Sequence, residues 1–194
     1  MKKSAVVYAL LSAAVGCNLA KAADLQYPTR AFDASYNMKS PFGDMTMRVA
    51  SDGKGHVRNE LDGPRGKTIS VYDYPAGQYK TAIENQKMIM VMDIPPQKLK
   101  PITDEQSAKI AGAKSLGAKT FDGHPCHGWE ADNVKAKTQT WIGDDTHYLV
   151  HSESSLKEGK QIVSLKSWSD KAPADLQTLP SGYKEVRMPK PPAH

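Results

Sequence analysis

Alternation with a period of two dominates the sequence from Ala31 onward. Phe32, Ala34, Tyr36 and Met38 fall on one side of the chain, and Asp33, Ser35, Asn37 and Lys39 on the other. That is the pattern of a strand with one buried and one wet face. Pro41-Phe42-Gly43 turns the chain, after which Met45, Met47 and Val49 alternate with Thr46 and Arg48, which point outward. Turn clusters at Ser51–Gly55, Asp62–Gly66 and Pro75–Gly77 separate short runs from Val57 to Leu61, Ile69 to Tyr74 and Tyr79 to Ile83. Short strands at near-regular spacing, with turn signals between them, describe an antiparallel sheet or a partly closed barrel. Met88-Ile89-Met90-Val91-Met92 is apolar on both faces and predicts a central or doubly covered strand.

The stretch from Lys119 to Val150 reads as consecutive strands. Phe121 is followed by Asp122-Gly123, then a strand through Trp129, a polar break, a strand around Trp141, Gly143-Asp144-Asp145, and a strand through Val150. Asp-Gly and Gly-Asp between apolar runs are hairpin signals, because these residues accept positive φ at little cost. Strands at Gln161–Trp168 and Tyr183–Val186 complete the set. Helix is scarce. Thr103 with Gln106 forms a capping box for one helix running to about Lys114, and Pro173 sits near the start of a short helical turn within Asp170–Leu179.

Met1-Lys2-Lys3, the apolar run Ala5 to Val15 and Ala20-Lys21-Ala22 have the order of an export signal, with cleavage expected after Ala22. The alternative is a lipoprotein signal ending at Cys17, which would anchor the chain by acyl groups. With Lys2, Lys3 and Lys21 removed, the 26 basic residues fall to 23 against 21 acidic ones, a net +2. No basic run or basic–aromatic stripe remains, so nucleic acid is not an expected partner. No second apolar segment follows, so the mature chain should contain no transmembrane span. A tether over 23–30, one domain over 31–188 and a tail over 189–194 are expected, in a periplasmic protein.

Two constellations carry candidate chemistry. His124-Pro125-Cys126-His127 could bind zinc or copper, or lower the pKa of the thiol for redox work. Strand alternation divides it, because His124 shares the face of Cys126 while His127 points the other way. Cys126 packed as a small buried hydrophobe is the competing reading. The second constellation is Met38, Met45, Met47, Met88, Met90 and Met92, where Met-x-Met on a strand puts both thioethers on one face. Such residues pack a core, line an apolar cavity or bind Cu(I). No nucleophile elbow, phosphate-cradling glycine loop or dinucleotide fingerprint is present, so no enzyme and no cofactor is expected.

Phe121-Asp-Gly-His-Pro-Cys126-His-Gly-Trp129, Trp141-Ile142-Gly143-Asp144 and Pro180-Ser181-Gly182-Tyr183 together resemble segments of an uncharacterised group of exported bacterial proteins. That group lies in the neighbourhood of the LolA/LolB-like lipoprotein carriers. The resemblance covers most of the mature chain in element order. It implies a mainly β (α+β) fold, a strongly curved antiparallel sheet or half-barrel with one or two covering helices. It marks Cys126, Trp129, Trp141, Gly182 and Tyr183 as motif residues. It also implies a concave apolar interior able to hold an acyl chain. On this reading Phe32, Tyr36, Met38, Met45, Met47, Val49 and Met90 form the ligand-binding face for a lipid or other hydrophobic molecule. The alternatives are a periplasmic metal-binding protein (His124, Cys126 and His127, or the methionines) and an envelope protein-interaction module.

Overall fold

Strands form where the alternation places them. The computed structural model describes residues 27–93, 112–132 and 136–188. The expected leader, Cys17, the helix from Thr103 and the tail from 189 lie outside these residues. The strands are β1 (Ala31–Lys39), β2 (Met45–Asp52), β3 (His56–Asp62), β4 (Thr68–Asp73), β5 (Gln78–Ile83) and β6 (Met88–Asp93). They continue as β7 (Lys114–Phe121), β8 (His124–Asp132), β9 (Lys137–Gly143), β10 (Leu149–Leu156), β11 (Gly159–Ser169) and β12 (Lys184–Arg187). β7 begins at Lys114, where the sequence predicted the end of a helix.

The chain gathers into two compact units, one holding β1 to β6, β12 and the end of β11, the other β7 to β10 and the start of β11. In the larger unit the strand order is β12-β6-β5-β4-β3-β2-β1-β11. Consecutive strands pair antiparallel from β1 to β6. β12 departs from the expected antiparallel pattern. It runs parallel to β6, Lys184 opposite Met88 and Arg187 opposite Val91. In the smaller unit the order is β10-β9-β8-β7. Asp122 and Gly123 take φ of 47° and 87°, so the β7–β8 turn uses the positive-φ pair that the sequence signalled.

The expected covering helices are absent from the described residues, where the only helical segment is the 3-10 turn Glu84–Gln86. One face of the larger sheet is instead covered by an irregular strap, residues 170–183. Pro173 and Pro180 interrupt it, and it closes only turns, such as Leu176 N–H to Pro173 O (3.3 Å) and Thr178 N–H to Asp175 O (2.9 Å). Beneath it Ile69, Val71, Ala82, Ile89 and Val91 form a core cluster, with Leu179 and Tyr183 of the strap packed on it. Gly182, a motif residue, turns the strap into β12 at φ +77°.

The same face carries a caged charge network. Arg48, predicted to point into solvent, donates to Asp33 (2.7 and 2.9 Å), Glu60 (3.0 Å) and Asp175 of the strap (2.9 and 3.2 Å). Arg58, only 5% exposed, donates to Glu60 (2.6 Å) and to the strap carbonyls of Asp175 and Thr178 (3.0 and 2.5 Å). Lys67 closes on Glu60 at 2.6 Å. Burial would push the Glu60 carboxyl up, but Lys67 and Arg58 outweigh it and hold it down at about 2.

Candidate functional site

Directly opposed residues in an antiparallel ladder share a face. Followed across the larger unit, the register writes three parallel rows on the face opposite the strap. One row runs Tyr36, Met47, Leu61, Thr68, Ile83, Met88. The next runs Ala34, Val49, Asn59, Ser70, Thr81, Met90, and the third Phe32, Ser51, Val57, Tyr72, Tyr79, Met92. Met38 stands opposite Met45 at the end of the β1–β2 hairpin. All seven residues expected to form a ligand-binding face therefore lie on one side of one sheet, with the two remaining strand methionines, Met88 and Met92, on the same side.

Burial grades across this face. Phe32, Tyr36, Val49 and Met90 are buried, whereas Met38, Met45, Met47, Met88 and Met92 are half-buried. Phe32 stacks on Trp168 of β11 at 4.9 Å between centroids. Met38 and Met45 line a groove of about 420 Å³ together with Asn37, Lys39, Asp44, Thr46 and Asp62, within the size range of small-molecule sites. A second groove of about 360 Å³ lies on the strap side, between Val71, Lys80, Ile89, Leu179, Pro180 and Glu185.

The middle row is the polar exception. Ser70 and Thr81 hydroxyls bond each other at 2.9 Å. Burial and the neighbouring Tyr74 and Tyr79 push the Tyr72 hydroxyl up to about 12. Tyr72 stacks on Tyr79 at 5.2 Å, and Tyr79 donates to Met92 Sδ at 3.1 Å. Sequence reasoning named Val49 and Met90 of this row but not Asn59, Ser70 or Thr81 as part of the ligand-binding face, because polar residues carry no signal for an apolar lining.

In the smaller unit the motif residues divide between faces. Trp129 packs with Ile142 and Ala113 on one side. Trp141 lies on the other, over Gly128, its cross-strand partner, with Phe121 at 5.2 Å and Lys119 Nζ at 5.6 Å. Phe121 also stacks on His151 at 4.3 Å. A glycine inside a strand marks close approach, and Gly128 is the signal by which this contact could have been found.

The thiol and imidazoles do not converge. His124 Nδ1 meets Asp145 at 2.7 Å and His127 Nδ1 meets Asp144 at 2.8 Å. Cys126 is 1% exposed and donates to its neighbour's carbonyl, His124 O, at 3.2 Å. Burial, then Asp144 and Asp145, push the Cys126 thiol up to about 11. Among the described residues no three or more His, Cys, Asp or Glu side chains are placed to hold a metal ion. The folded protein should therefore resist a neutral aromatic disulfide reagent at pH 7.5, reacting at least about 100-fold more slowly than in urea. Fast labelling of the folded chain would put a thiolate at Cys126 and revive the redox reading.

No family model and no curated protein matches the sequence. Solved structures do. MucB matches at 17% identity with a TM-score of 0.51, over 84% of this chain and 61% of MucB. MucB in complex with MucA(peri) matches at 13% identity with a TM-score of 0.50, over 81% of this chain and 57% of that one. The chain thus spans under two thirds of the length of these relatives in fold. A LolA-superfamily protein from Nitrosomonas europaea also matches, at 9% identity and a TM-score of 0.29, over 78% of this chain and 91% of that one, too weakly to bear on function. The likeness to MucB is one of fold.

Proposed function

We propose that this chain is a non-catalytic periplasmic protein that binds or carries a lipid or other hydrophobic molecule on the methionine-rich face of its larger unit. The observation that carries the reading is the register. It brings Phe32, Tyr36, Met38, Met45, Met47, Val49 and Met90 to one face, while the opposite face is closed by the strap and its charge network. Methionines adapt to apolar contents of varying shape, and burial of ligand surface supplies the binding energy, about 25 cal/mol per Å² before ordering costs. Native mass spectrometry of the protein from its own envelope fraction tests this. A discrete lipid-sized increment over the chain mass supports the reading. A single metal ion in its place moves the assignment to the methionines, and a bare chain sinks it.

One observation favours an interaction module as the second reading. β7 is exposed on both faces along nearly its whole length, and a strand of that kind can accept an added strand from a partner. MucB, which shares the fold, has been crystallised with MucA(peri). A photo-crosslinker at Ala118 that captures one defined envelope protein, while a bare chain is seen by mass, would make this the better account.

A further inference from the structure

The Asn59 Oδ1 atom is buried and meets no hydrogen-bond partner among the described residues. It sits at the centre of the methionine-rich face, opposite Val49 on one side and Ser70 on the other. The Ser70 and Thr81 hydroxyls satisfy each other along the same row. An acceptor left unpaired in such surroundings keeps the cost of its lost hydration, so native proteins rarely retain one without a reason. Small-molecule sites combine an apolar lining with a few fixed polar groups that set orientation. Here the lining is thioether and aromatic, and the single unmet group is an acceptor.

Building on the proposed hydrophobic-ligand role, we infer that Asn59 Oδ1 is the polar anchor of this face, and that the ligand is an acyl or alkyl molecule bearing a hydrogen-bond donor. A hydroxyl or amide N–H suits the anchor. A carboxylate, which only accepts, would set two acceptors against each other and is disfavoured.

The test compares two probes of equal acyl length on the full folded protein, a monoacylglycerol with hydroxyl donors and the corresponding methyl ester without them. Wild type should bind the monoacylglycerol about tenfold more tightly. Asn59→Leu should remove that preference while leaving methyl ester affinity within about twofold. Asn59→Asp, which keeps acceptor oxygens, should retain it. Equal affinity of wild type for the two probes, as expected if only water serves this oxygen, overturns the inference, and so does a preference that survives Asn59→Leu. If Asn59→Leu does not fold, the wild-type probe pair decides alone. Failure of both probes to bind refutes the hydrophobic-ligand reading itself, a result distinct from binding without preference.

Discussion

Arg58→Ala should destabilise the protein by about 3–5 kcal/mol, the range for breaking a buried ion pair from one side. The guanidinium is 5% exposed and serves three acceptors, Glu60 and the carbonyls of Asp175 and Thr178. Its loss leaves two strap carbonyls without their donor and Glu60 with less compensation for its burial. Arg30→Ala is the control. Arg30 pairs with Asp170 at 3.3 Å between side chains 49% and 67% exposed, and exposed pairs of this kind contribute about 0–1 kcal/mol. The network also sets an acid limit. Glu60 has its folded pKa depressed to about 2 from 4.5, so its contribution is present above about pH 4.5 and is lost as pH falls toward 2. That contribution is at most about 3 kcal/mol. Urea unfolding at pH 7 and pH 3 should show this loss in wild type and a smaller one in Arg58→Ala. Equal midpoints for Arg58→Ala and Arg30→Ala would mean the network holds nothing together.

Gly128→Ala should cost about 1–3 kcal/mol, although replacing glycine in a strand ordinarily helps by restricting the unfolded chain. A Cβ at this position would meet the Trp141 ring, with Cε3 at 2.6 Å and Cζ3 closer still. The ring cannot swing aside cheaply, because Phe121 packs on it at 5.2 Å and Lys119 Nζ lies over it at 5.6 Å. Tryptophan emission should shift along with the midpoint of unfolding. A variant as stable as wild type would show that Trp141 has room to move.

Much of the architecture could be read from local pattern. The alternation in β1 and β2 placed Phe32, Tyr36 and the methionines together, and Asp122-Gly123 gave its hairpin, because both signals depend on neighbours in sequence. Arg48 shows where such reading stops. Its outward position was correct, but the partner that keeps it from solvent, Asp175, lies 127 residues away. Asn59 illustrates the same limit, since its unmet acceptor exists only once β3, β4 and β5 are side by side. The parallel pairing of β12 and the strap's role are likewise set by the far end of the chain, where proline spacing reads as a loop and says nothing of what it covers.

That distance governs the order of assembly. As the chain is synthesised, β1 to β6 are complete while the residues that finish their sheet do not yet exist. β11 must still arrive beside β1 and β12 beside β6, and Leu179 and Tyr183 must still cover Ile69, Val71, Ala82, Ile89 and Val91. Until then the nascent sheet has two open edges and a wet apolar face, the features that make intermediates sticky. The last-made residues thus decide whether the first-made ones settle. Loss of the C-terminal segment should register as aggregation during biogenesis before it registers as a lower melting point.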